Sequence, residues 1–190
     1  CNSADYEVVY DLDDAYELNP DNHFVRSMMH RVFPSQTNLD FAPDLHADAN
    51  DHMIVDADVA ELGSFFAVHM RNWHWQAKNI SLDVWFDVFT KLFEVRDDFK
   101  IVTIGGHTDH AVDHPNFVDL RNEKLTSQQM MLLCDSAQCF VGIDSGPFQC
   151  AAASKTHIVA LLTHLNPSRI IPDRKWVQGH EVTAIEDRKS

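Results

Sequence analysis

The reading of the fold turns on FVGIDSGPFQCAAAS, residues 140–154. Phe140 to Ile143 form an apolar run of strand length that passes directly into the turn-forming residues Asp144, Ser145, Gly146 and Pro147, and then into small residues that favour helix. Pro147 suits the first helical position, because its fixed φ is already helical and its missing N–H would be unpaired there. Gly146 carries no Cβ, so a ligand can come close to the backbone. A strand entering a helix through such a turn sets free N–H groups and the positive end of the helix dipole at the carboxyl end of the strand, where a phosphate is favoured. The same residues are also explained if Asp144 or Ser145 merely caps the helix. Both readings stand on the residues alone. The Asp144 carboxylate would repel a phosphate; it can cap the helix or accept hydrogen bonds from sugar hydroxyls.

Working outward, the neighbouring segments repeat the alternation. SFFAVHM (64–70) reads as a strand, and SLDVWFDVFTKLFEV (81–95) sets Leu82, Trp85, Phe86, Phe89, Leu92 and Phe93 at helical spacing, with Ser81 available as N-cap. KIVTIGG (100–106) is a buried strand ending in Gly105 and Gly106, and NFVDL (116–120) is a short strand. LTSQQMMLLCDSA (125–137) is a helix and THIVALLT (156–163) a further strand. The spacing predicts an α/β fold, a Rossmann-like parallel sheet with helices on both faces. Upstream the character changes. YEVVY (6–10) could be a strand and a helix is expected from about residue 21, with Phe24, Met28 and Val32 on one face; the acidic, turn-rich residues 34–63 read as a connector. The expected organisation is therefore a remnant or connector over 1–62, a folded domain over 63–180 and a polar tail over 181–190.

Composition narrows the partners. The chain of 190 residues has 15 Lys and Arg against 29 Asp and Glu, a net charge of −14. A general basic field for nucleic acid or anionic lipid is excluded, because the long-range term would repel both. No apolar run approaches the roughly 18–20 residues of a membrane-spanning helix, which leaves peripheral membrane contact open. Of the four cysteines, Cys134, Cys139 and Cys150 sit in apolar surroundings and read as reduced core thiols, so a reducing, cytoplasmic location is expected. Cys1 follows no visible leader and suggests a chain cut from a longer parent. Among twelve histidines only His107, His110 and His114 cluster, with Asp109 and Asp113. Their spacing matches no zinc pattern, so a polar loop is expected and no metal. Asp11, Asp13 and Asp14 read as an acidic surface turn.

The motif D-S-G-P-x-Q-x-A-A, following an F-V-G strand, resembles the donor-binding motif of glycosyltransferase family 9, the heptosyltransferase-like enzymes of lipopolysaccharide synthesis. Three further segments agree in order. AVHMRNWHWQAKNISLDVWFDVF is similar to the opening of that family's C-terminal domain, IVTIGGHTD to its strand ending in Gly-Gly, and HIVALLTHLNPSRIIP to its final strand and loop. The resemblance covers about residues 64–176 and implies one half of a GT-B fold, the C-terminal donor-binding domain. It implies a nucleoside-diphosphate sugar as donor, a glycan or lipid-linked acceptor, and transfer without a metal or other cofactor. Carried onto this chain, it sets Ser145, Gly146, Pro147 and Gln149 at the donor diphosphate and Asp144 beside the sugar. Lys78 would face the phosphates with Arg71 as a second cation, and Gly105, Gly106, Thr163 and His164 would line the nucleotide.

The chain also departs from that family. Gln149 stands where His is commonest and cannot carry a positive charge. The loop after the first strand reads His69-Met70-Arg71-Asn72 in place of an H-P-G-like turn. The family's N-terminal domain, which supplies the acceptor site and the general base, is at most a vestige, so no catalytic residue is assigned. Two alternatives stay open. His69-x-Arg71 is faintly similar to the His-x-Arg loop of fucosyltransferases, which use GDP-fucose, and a domain without its acceptor half could bind a nucleotide or sugar without catalysis.

Overall fold

The computed structural model of the chain describes residues 10–12, 14–15, 18, 21–37, 42–71, 75–106, 112–121, 123–163, 166–174 and 182–186. In chain order the elements are α1 (Phe24–Val32), α2 (Ala49–Val59), β1 (Phe65–His69), a 3-10 turn (Gln76–Lys78), α3 (Leu82–Val95), β2 (Lys100–Thr103), β3 (Phe117–Asp119), α4 (Ser127–Ser136), β4 (Cys139–Gly142), α5 (Gly146–Ala152), β5 (His157–Leu162), α6 (Pro167–Ile170) and β6 (Val182–Glu186). The chain divides into two compact units, Cys1–Phe41 with Asn166–Ile171, and Ala42–Leu165 with Pro172–Ser190.

The smaller unit holds α1 and α6. Helix α1 keeps Phe24, Met28 and Val32 half-buried, as their spacing predicts, and Nδ1 of His23 caps it by accepting from Val25 N–H at 3.3 Å. Asn166 caps α6, its Oδ1 accepting from Ser168 N–H at 3.0 Å. Asp14 takes a left-handed φ of 57°, and Ala15 N–H donates to Leu12 O, so this acidic stretch is a turn. Residues 6–9 of the suggested first strand, and Asp13, lie outside the described residues.

In the larger unit every strand pairing is parallel and the order is β3-β2-β1-β4-β5-β6. This is the doubly wound Rossmann arrangement, and it answers the α/β expectation. Because side chains alternate across the pleat, Phe66 and Val68 of β1, with Ile101 of β2, turn toward the face covered by α3. Trp85 and Phe89 fill that layer, 1% and 3% exposed, with their rings 5.6 Å apart and Phe117 set edge-on against Phe89 at 5.2 Å. Burying each such side chain contributes about 1.5–3 kcal/mol. Phe86, expected in the same stripe, stays 42% exposed because it lies on the margin of the arc centred on Trp85 and Phe89. Ser81 occupies the N-cap position of α3, but its side chain makes no capping bond. The opposite face carries Phe65, Ala67, Phe140, Ile158 and Ala160, all buried, under α4 and α5; the rings of Phe140 and Phe148 are 6.5 Å apart.

Two segments differ from their sequence reading. The connector expected over 34–63 contains α2, which is held by its ends more than by an apolar stripe. Asp48 and Asp51 form a capping box, and Oδ1 of Asp51 accepts from Nε2 of Gln129 at 3.1 Å, while Gln129 completes the capping box of α4 with Thr126. Only Val55 of α2 is buried, so its hydrophobic period was weak. The polar tail expected over 181–190 contains β6, which pairs with β5 from Ile158↔Val182 to Leu162↔Glu186. Val182 and Ala184 are half-buried while Thr183 and Ile185 are exposed, the alternation of an edge strand, and its polar half hid it.

Gly142 is required by packing. A Cβ there would lie 2.7 Å from Cζ of the fully buried Phe140 and 3.1 Å from the carbonyl oxygen of His69. We expect Gly142→Ala to destabilise the domain by roughly 1–3 kcal/mol, read as a lower denaturation midpoint. An unchanged midpoint would contradict this packing.

Candidate functional site

The site grows out of the point where the sheet reverses direction. From β1 the chain crosses one face through α3 to β2, and from β4 it crosses the other through α5 to β5. Strands β1 and β4 are neighbours, with His69 opposite Gly142. A crevice outside the carboxyl ends of such a pair is where doubly wound sheets accept ligands. The loop after β4 delivers Asp144, Ser145, Gly146 and Pro147 there, and the loop after β1 delivers Arg71 and Lys78.

The start of α5 shows which of its first residues caps it. Ser145 is the N-cap: its Oγ donates to Ile143 O at 3.1 Å and accepts from Phe148 N–H at 3.4 Å, so Gly146 takes the first helical position and Pro147 the second, one residue later than expected, because the cap falls on Ser145. Asp144 does not cap. Since Phe148 N–H is used and Pro147 has none, the donors left over at this helix start are the amides of Ser145 and Gly146, which have no partner among the described residues. Gly146 is exposed, and nothing lies within 4 Å of where a Cβ would stand.

Asp144 is occupied by a cation instead. Nζ of Lys78 donates to its Oδ2 at 2.5 Å, with both side chains mostly buried, 16% and 14% exposed. At that burial salt screens the pair only weakly. The Lys78 ammonium also lies 4.7 Å from the ring centroid of Trp75, within cation–π range. Thr163, just past β5, donates its hydroxyl to Ala77 O at 2.8 Å. Loops from β1, β4 and β5 are thereby tied together around Lys78. Arg71 follows β1 directly and is half-buried.

Not every expected residue joins this cluster. Gly105 has a φ of 126°, a conformation that L side chains rarely adopt, so the turn after β2 itself demands glycine there. Gly106 beside it is exposed. Gln149 faces a shallow cleft of about 520 Å³, bounded by Leu45, Met130, Gly146, Pro147 and Cys150, and its buried Nε2 has no partner among the described residues. His164 lies outside the described residues, as do Asn72, His107, Asp109 and His110. His114 stacks on Phe93 with ring centroids 5.1 Å apart, and its Nδ1 accepts from Asn116 N–H. Among the described residues no group of three or more His, Cys, Asp or Glu could hold a metal ion, and no helix is long and apolar enough to cross a membrane.

Sequence reasoning passed over Trp75 and Arg121. Trp75 stands three residues before Lys78, in NWHWQAK. Arg121 is a buried cation just beyond β3, with its guanidinium forked onto Asp119 at 2.6 and 2.5 Å. That contact, made chiefly through the side-chain hydrogen bond, holds the Asp119 carboxyl below its ordinary range. The thiols are unpaired by disulfides, and burial pushes all three upward, Cys139 to about 11.

No protein-family model and no curated protein matches the sequence. Solved structures do match in fold. E. coli ADP-heptose lipopolysaccharide heptosyltransferase II aligns at a TM-score of 0.60 and 18% identity, covering 75% of this chain and 45% of that one. A family 9 glycosyl transferase from Veillonella parvula aligns at 0.66 and 12% identity, covering 94% and 51%. E. coli heptosyltransferase WaaC, in a structure with ADP, aligns at 0.53 and 14% identity, covering 87% and 50%. The chain thus spans about half the length of the structures it matches, and its fold is that of a heptosyltransferase-like half.

Proposed function

We propose, from this shared fold, that the chain binds a nucleoside-diphosphate sugar at the carboxyl ends of β1 and β4 and serves transfer of the sugar to an acceptor hydroxyl, in the manner of a heptosyltransferase. The observation that carries the reading is the meeting of two unpartnered amides, Ser145 and Gly146, with the Lys78 loop at the reversal point of the sheet. The two amides donate to phosphate oxygens, and Lys78, with Arg71 behind it, offsets the negative charge that builds on the departing diphosphate. Pro147 holds the turn. Asp144 receives Lys78 when the site is empty and is released toward the sugar hydroxyls when the diphosphate takes the ammonium. The nucleoside extends toward Gly105, Gly106 and His164, while the Thr163 hydroxyl, expected beside them, is engaged by Ala77 O, and Gln149 offers a neutral amide where a positive charge is commoner.

No step in this scheme calls for a metal, because the charge is met by amides and cations already in place. The acceptor, a glycan or a lipid-linked saccharide, and the general base belong to the part of the enzyme opposite this half. Three cysteines, Cys134, Cys139 and Cys150, carry no disulfide, which fits a reducing, cytoplasmic setting with at most peripheral membrane contact. ADP recorded with a matching heptosyltransferase favours an adenine nucleotide as donor.

Calorimetric titration of the full chain with ADP, GDP and UDP tests the reading. We expect ADP to bind below millimolar concentration and more tightly than the other two. A preference for GDP would move the donor to GDP-fucose, and no binding of any of them would remove the donor site altogether.

A further inference from the structure

We propose that Thr163 is a positioning residue for Lys78, an inference that rests on the donor reading above. Its hydroxyl is not turned to a ligand, because it already donates to Ala77 O at 2.8 Å, from a position 86 residues further along the chain. Ala77 is the middle residue of the 3-10 turn Gln76–Lys78, whose own backbone ties are Lys78 N–H to Trp75 O and Asn79 N–H to Gln76 O. A turn that short has little stability of its own. It is fixed from two strands at once: β4 holds the Lys78 side chain through Asp144, and β5 holds the backbone under it through Thr163.

The two ties behave differently when an anion arrives. A diphosphate competes with Asp144 for the Lys78 ammonium, so the ion pair weakens as the ligand binds. The Thr163 bond goes to a backbone carbonyl and is untouched by that exchange. It remains as a cross-strand tie under the root of a long, flexible side chain, and it limits the conformational freedom Lys78 must lose to reach the phosphate. Thr163 therefore acts on phosphate affinity through Lys78, without touching the nucleotide.

The test compares ADP and adenosine affinities, by calorimetry on the full chain, for Thr163→Val, Thr163→Ser and each combined with Lys78→Ala, with thermal melts run alongside. We expect Thr163→Val to weaken ADP about three- to tenfold, the effect of one hydrogen bond. Adenosine binding should be unchanged, Thr163→Ser should restore ADP affinity, and Thr163→Val should add nothing on the Lys78→Ala background. Equal loss for ADP and adenosine, or the same loss without Lys78, would overturn the inference. So would no loss from Thr163→Val where Lys78→Ala itself weakens ADP. If Lys78→Ala leaves ADP affinity unchanged, the donor reading falls and this inference with it.

Discussion

Gly146→Val is expected to abolish nucleotide-diphosphate binding while the chain keeps its fold. The two amides left for an anion belong to Ser145 and Gly146, and a branched side chain on Gly146 would stand in the open space through which a phosphate must reach them. Hydrogen bonds to a charged group are worth about 1.5–3 kcal/mol each, so losing both costs roughly a hundredfold to ten-thousandfold in affinity. The fold should tolerate the change, since no atom lies within 4 Å of the new Cβ. The local cost comes from Pro147, because a residue with a Cβ resists helical geometry immediately before proline. That strain is of the order of 1 kcal/mol, short of unfolding a domain. Affinity and melting temperature must be measured together. Unchanged ADP affinity in a folded variant would remove the phosphate loop from the account.

Lys78→Ala has the second large effect, and its logic is double. The variant loses the ammonium and also takes the Lys78 charge away from the mostly buried Asp144 carboxylate, so that more negative charge faces the incoming diphosphate. We expect ADP to weaken by about tenfold or more, with adenosine little affected. The double variant Lys78→Ala, Asp144→Asn should then bind ADP better than Lys78→Ala alone, because the negative charge beside the diphosphate is gone. Equal losses for ADP and adenosine, or no recovery in the double variant, would contradict the role given to this pair. The same arithmetic applies to the whole chain at a net charge of −14: anion binding is a local matter, set by individually placed cations and amides.

Residues 140–154 announced their own structure because strand, turn and helix chemistry are all local there. A cap at Asp144 or Ser145 and glycine at 146 follow from propensity and stereochemistry that a sequence carries openly, while the choice of Ser145 shows only in its bond from Phe148 N–H. Helix α2 was hidden because its order comes from the Asp48–Asp51 box and from Gln129, 78 residues away from Asp51, with little apolar periodicity to show for it. Strand β6 was hidden because an edge strand needs only one half-buried side. The site was legible as a set of residue types and illegible as a set of pairings. Lys78 and Asp144 could each be nominated, but that they neutralise one another across 66 residues is a property of the β1–β4 neighbourhood. Thr163 could be placed at a strand end, yet its partner is a backbone carbonyl, which no residue type reveals.

The most direct measurement is an amide-resolved NMR titration of the full chain with ADP. The account predicts that the largest shift changes fall on Ser145, Gly146 and the Gln76–Lys78 turn, with α2 and β6 undisturbed. Changes centred elsewhere, or none at millimolar ADP, would contradict it.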